Sequence, residues 1–123
     1  MSTPIHRRRV VITGMGTVNP CGLGVAETWD SLLAGRSGIG LIDRFDTSEF
    51  ACKIAGQVKG FNPDGCIDKK EQKKMDIFIH YALGAAQEAW MDAGFDQVTL
   101  SKAEREVFGV YIGSGIGGLS TIW

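Results

Sequence analysis

From Met75 to Ala93 the chain is apolar on nearly every face of a helix, and this segment limits what the whole can become. A helix lying on a surface carries one apolar stripe, whereas one that is apolar all round has to be covered on all sides. Ala82, Ala85, Ala86 and Ala89 are small enough to let other elements approach its backbone, and Gly94 stands where a left-handed cap belongs. The sequence therefore predicts a buried helix ending near Ala93. Something must be layered against it.

The flanking segments supply candidates. Arg9 to Thr13 is β-branched and apolar before Gly14-Met15-Gly16, and Val107 to Ile112 is a second such run opening into Gly113-Ser114-Gly115-Ile116-Gly117-Gly118. Short continuous apolar runs bounded by glycine read as buried core strands. After Gly24, the spacing of Val25, Trp29, Leu32 and Leu33 predicts a helix of about ten residues stopped by Gly35. Gly38 to Phe50 has no clear period, and Lys53 to Val58 reads as a short strand. Asp68 and Glu71 form a capping-box-like pair, so a helix begins near residue 69, with a kink expected near Met75. Ser101 can cap a further short helix through Glu106. Strand, helix, weak strand, buried helix, strand is the order of a layered α/β fold. The chain stops five residues after the glycine loop, before any element that would cover the second strand. Residues 1–123 are therefore expected to be one incomplete domain.

Composition narrows the function. Of 123 residues, 44% are hydrophobic and 22% charged, with a formal net charge of -1, as in an ordinary globular protein. Such a balance argues against general affinity for nucleic acid or membrane and leaves any electrostatic partner to a local patch. No stretch approaches the about 18 apolar residues that span a bilayer. Arg7-Arg8-Arg9 before Val10-Val11-Ile12 imitates a signal peptide, but the apolar run breaks at Gly14. Cys21, Cys52 and Cys66 are odd in number and too far apart for a C-x-x-C pair, so neither a disulfide framework nor a zinc site is indicated.

Three features could carry chemistry, and each has a plainer reading. Gly113, Gly115 and Gly118 match G-x-G-x-x-G after an expected strand, as in a dinucleotide-binding turn. They equally describe a loop that lets backbone pass close to a substrate or a neighbouring subunit. The cysteines and the histidines His6 and His80 invite a nucleophile reading, but no sequence neighbour supplies the charge or base that stabilises a thiolate. His80, within the apolar helix, reads as a satisfied core histidine. Lys69, Lys70, Lys73 and Lys74 recur at i, i+1, i+4 and i+5, so on a helix they project from one side. The run is either a solvated face or a docking surface for an acidic macromolecule.

These residues also form an ordered set of motifs. Arg8-Arg9-Val10-Val11-Ile12-Thr13-Gly14-Met15-Gly16 comes first, then Thr28-Trp29 with Leu32-Leu33-Ala34-Gly35, then Phe45-Asp46-Thr47-Ser48. Lys70-Glu71-Gln72-Lys73-Lys74-Met75-Asp76 and Ile112-Gly113-Ser114-Gly115-Ile116-Gly117-Gly118 complete it. The set resembles the N-terminal part of the elongating (type II) β-ketoacyl-acyl-carrier-protein synthases, over essentially the whole chain. The resemblance implies a thiolase-like layered αβαβα fold built from two duplicated α/β halves, in a cytoplasmic homodimer that needs no cofactor or metal. It implies decarboxylative condensation of an acyl chain with malonyl units, both on acyl carrier protein, to give a 3-oxoacyl product in fatty acid elongation. The cysteine and two histidines that do this would lie C-terminal to Trp123, leaving no catalytic residue in this chain. Ile116 would border the acyl pocket, and Lys69, Lys70, Lys73 and Lys74 would receive the carrier protein. Two other readings stand beside this one: a non-catalytic partner subunit of the chain-length-factor kind, and a dinucleotide-binding module.

Overall fold

The computed structural model describes residues 8–118. Its elements, in order, are helix α1 (Val25–Leu33), strand β1 (Ile39–Leu41), strand β2 (Ile54–Gly56), the short helix α2 (Lys69–Gln72), the long helix α3 (Ile77–Asp92) and helix α4 (Lys102–Glu106). Two 3-10 turns, Pro63–Gly65 and Phe95–Gln97, lie on either side of α2 and α3. The strands pair antiparallel, with Ile39 opposite Gly56 and Leu41 opposite Ile54.

Local signals account for the helices. Gly24 is extended at the start of α1, and Gly35 and Gly94, with φ of 64° and 75°, take left-handed turns that close α1 and α3. Ser101 and Glu104 form a complete capping box on α4: the Glu104 amide donates to the serine hydroxyl, and the glutamate accepts from the Ser101 amide at 2.8 Å. The Ser101 hydroxyl, which also donates to that carboxylate at 2.7 Å, and the Ser101 amide hold the Glu104 carboxyl below its usual range. The expected break at Met75 is real, because residues 73–76 leave the helix before α3 begins.

What holds the pieces together is α3. The extended segment 13–18 lies along it, and its glycines bring two backbones together. A Cβ on Gly14 would stand 2.3 Å from the Ala89 carbonyl oxygen, and one on Gly16 would stand 2.0 Å from that of Ala85. The alanine row on α3 thus has its counterpart in Gly14 and Gly16. Two carboxylates from the same helix finish the contact. Asp92 accepts from the Met15 amide at 2.9 Å, while the two oxygens of Glu88 accept from Thr17 at 2.9 Å and from Val25, the first residue of α1, at 2.8 Å. Glu88 therefore satisfies an N–H that α1 cannot satisfy itself and ties three parts of the chain to one side chain. Glu88→Ala removes two charge-assisted acceptors from half-buried amides and should cost about 2 kcal/mol. Urea unfolding of the complete polypeptide that carries this domain checks it; a loss under about 0.5 kcal/mol would mean that water replaces the carboxylate without penalty.

Two expectations are corrected. Neither Arg9–Thr13 nor Val107–Ile112 forms a strand among the described residues, and their side chains are open: Val10 is 91% exposed and Val110 84%. A strand is completed by a neighbour's hydrogen bonds, and neither segment has a paired strand beside it here. Nor is α3 fully covered. Segment 13–18 and the Phe61 ring, which packs over Gly84, shield one side, while Trp90 and Met91 remain exposed. Ile67 is the one buried hydrophobic residue among those described.

Candidate functional site

The segment after Asp68 folds differently from the single lysine-bearing face expected of it. Only Lys69 and Lys70 lie on α2; Lys73 is its C-terminal cap and Lys74 follows in the turn. The Gln72 carbonyl explains the early stop, because it accepts from the Met75 amide at 3.3 Å and lies 3.2 Å from His80 Nε2. A carbonyl can only accept, so that ring nitrogen carries the proton. His80 is thus a half-buried structural donor that pins the end of α2 to α3, as expected of a core histidine.

All four lysines are exposed. Lys69 reaches Asp64 at 3.7 Å and Lys74 reaches Glu71 at 2.6 Å, while Lys70 and Lys73 have no ion pair among the described residues. A hydrogen bond from Gln72 and the ammonium of Lys69 keep the Asp64 carboxyl below its usual range. Exposed pairs of this kind contribute about 0–1 kcal/mol, so the ammonium groups remain available to a partner.

The early stop turns Lys73 and Lys74 toward the glycine loop. A cleft of about 430 Å³ lies between them, with Lys73, Lys74, Phe78 and Ile79 on one wall and Ser114, Ile116 and Gly117 on the other. Its size is that of a small-molecule site. Ile116 stands at the rim, 76% exposed. Gly117 has a φ of 72°, which glycine adopts without strain, and a Cβ there would stand 3.1 Å from Cζ of Phe78. Two basic side chains and an apolar loop thereby line one cleft. Lys69 and Lys70 sit outside the cleft. Two larger depressions, of about 730 and 700 Å³, contain neither Ile116 nor any of the four lysines.

The other candidates stay apart. Cys52 is exposed and Cys66 half-buried, and their thiols face the carbonyl oxygens of Ile54 and Pro63 at 3.4 Å. His6 lies outside the described residues. Among the described residues no three His, Cys, Asp or Glu side chains cluster to hold a metal ion, and no helix is long and apolar enough to cross a membrane. The loop at Gly113 to Gly118 is not fed by a strand, as a dinucleotide-binding turn would be. Sequence reasoning missed Phe78, which looks like any other apolar residue of α3. It also missed Glu88 and Asp92, whose signal was available: two acids one turn apart in a mostly apolar helix.

Comparison with known proteins identifies the family. Residues 7–122 match the family model described as the N-terminal domain of β-ketoacyl synthase. The chain is 48% identical over 118 residues to 3-oxoacyl-[acyl-carrier-protein] synthase 2 of Vibrio cholerae and 43% identical over 118 residues to the protein of that name from Coxiella burnetii. Each alignment covers 96% of this chain and 28% of the relative, so the chain spans little more than a quarter of the relatives it matches. Among solved structures, the ishigamide ketosynthase/chain length factor superposes with a TM-score of 0.66 at 40% identity, over 80% of this chain and 23% of that one. The helices and small sheet are thus part of a thiolase-like α/β fold. An ordered set of motifs, a shared backbone and a family match over nearly the whole length agree: the chain belongs to the β-ketoacyl synthase family and carries its N-terminal domain.

Proposed function

We propose that this domain serves a condensing enzyme that joins an acyl chain to a malonyl-derived two-carbon unit, both delivered on acyl carrier protein, and that its own part is to receive the carrier and border the acyl chain. The observation that carries this reading is the convergence of Lys73, Lys74 and Ile116 on one cleft. A carrier-borne acyl substrate is acidic at its protein end and apolar at its tip. A site for it needs cations outside and an apolar lining within. In the reaction, a cysteine thiolate takes the acyl group from the carrier thiol, malonyl carrier loses carbon dioxide, and the resulting carbanion attacks the acyl-enzyme carbonyl. The 3-oxoacyl carrier is released and the thiolate regenerated. Those reacting groups are expected beyond this chain, in a cytoplasmic homodimer. Ile116, exposed at the rim, suits a surface that acyl chain and partner subunit cover together.

Lys70, Lys73 and Lys74 act by long-range attraction, since lysine is a flexible point charge that imposes little geometry. Changing all three to Glu should weaken carrier binding to the complete polypeptide at least about tenfold, equivalent to roughly 1.4 kcal/mol. Most of the loss should appear in the association rate, and it should shrink at high salt. Stopped-flow titration across ionic strength measures it. Equal, salt-insensitive affinities for wild type and triple mutant would leave the lysines a solvated face.

A second reading rests on the 40% identity to a ketosynthase/chain length factor structure: a partner subunit that shapes the pocket without a catalytic cysteine. The two separate on one assay, because only the enzyme forms an acyl thioester with its own polypeptide.

A further inference from the structure

The cleft has a member to which neither motif nor charge drew attention. Phe78 sits in the first turn of α3, which is closed by hydrogen bonds from the Ile79 and His80 amides to the Asp76 carbonyl at 3.0 and 3.4 Å. Its ring is half-buried and lies beside Gly117, where Cζ and Cε1 stand 3.1 and 3.3 Å from a notional Cβ, so close that the ring would have to shift by a few tenths of an ångström to admit one. Gly117 is also the residue at which the loop turns left-handed. Ile116 immediately precedes it. A flat ring anchored on a long helix thus packs beside the left-handed turn that presents Ile116, and the two side chains line one cleft.

We infer that Phe78 is a positioning residue for chain-length selection: it sets how far the Ile116 turn can withdraw, and so how long an acyl chain the cleft admits. This rests on the acyl-pocket reading above. An apolar pocket discriminates poorly by affinity alone, with one methylene changing selectivity about 10–200-fold, so the stop must be mechanically firm. Ile116 sits on a glycine-rich loop that is soft by composition. The stiffness has to come from what the loop leans on. In the described structure that is Phe78.

The test is a cycle of Phe78→Leu, Ile116→Ala and the double variant in the complete polypeptide. It reads the ratio of kcat/KM for a long over a short saturated acyl donor on the carrier. A ratio within one preparation cancels any loss of folded enzyme, so a variant that is merely less stable does not move it. Phe78→Leu should raise the long-to-short ratio at least about fivefold, and it should have no such effect when Ile116 is already Ala. A ratio unmoved by Phe78→Leu but raised by Ile116→Ala would overturn the role of Phe78 and leave the acyl pocket standing. If neither substitution moved the ratio of an active enzyme, the pocket reading would fall and this inference with it.

Discussion

Gly16→Ala should be the most damaging small substitution in this domain, costing roughly 3 kcal/mol or more. A single methyl there would lie 2.0 Å from the Ala85 carbonyl oxygen and 2.7 Å from the Ala89 amide nitrogen. Both are backbone atoms of α3, and neither can swing aside as a side chain could. The segment would have to lift off the helix. That would break the Met15–Asp92 and Thr17–Glu88 hydrogen bonds and leave the half-buried Glu88 carboxylate short of one donor. Gly40→Ala is the control, since nothing stands within 4 Å of its notional Cβ, and it should be neutral to about 0.5 kcal/mol. Urea midpoints of the two variants in the complete polypeptide, at unchanged slope, give the comparison. Equal midpoints would show that segment 13–18 does not seat on α3 in this way.

This packing also shows what sequence could and could not reveal. The helices were legible because their determinants are local: Gly35 and Gly94 as left-handed stops, Ser101 as a cap, the break before α3 at Met75; the capping box expected of Asp68 and Glu71 does not form, since Asp68 makes no side-chain cap bond, and Ser101 with Glu104 forms one instead. Each depends on atoms within a turn or two. Strand β2 was anticipated within Lys53–Val58, but β1 was not, because a three-residue strand with glycine at its centre has no period to detect. Arg9–Thr13 and Val107–Ile112 were read as strands from apolarity, which records a need for burial and not the presence of a partner. The same limit applied to the site. Four lysines at helical spacing suggested one face, yet the two demands on the Gln72 carbonyl end the helix early and swing Lys73 and Lys74 to the glycine loop. Those demands come from Met75 and His80, and the second could not be read from spacing. The resemblance assigns Ile116 and the lysines to one substrate path, a proposal that the lysine and Ile116 variants test; of these residues Lys73, Lys74 and Ile116 line one cleft.

The most direct test of the account is condensation by the complete polypeptide, wild type and Ile116→Phe, with saturated acyl donors of increasing length and malonyl units on acyl carrier protein. Phenylalanine adds bulk at the rim residue of the cleft, on a turn that packs beside Phe78. The enlarged side chain should therefore project into the path of the acyl chain. Wild type should release one carbon dioxide for each 3-oxoacyl product across the series. The variant should match it on the shortest donors and fall at least about a hundredfold in kcat/KM on the longest, a loss equivalent to roughly 2.7 kcal/mol. Such a length-dependent loss would show both that the protein condenses acyl chains and that they pass Ile116. An identical length profile for the two proteins, or no decarboxylative condensation by the wild type, would contradict it.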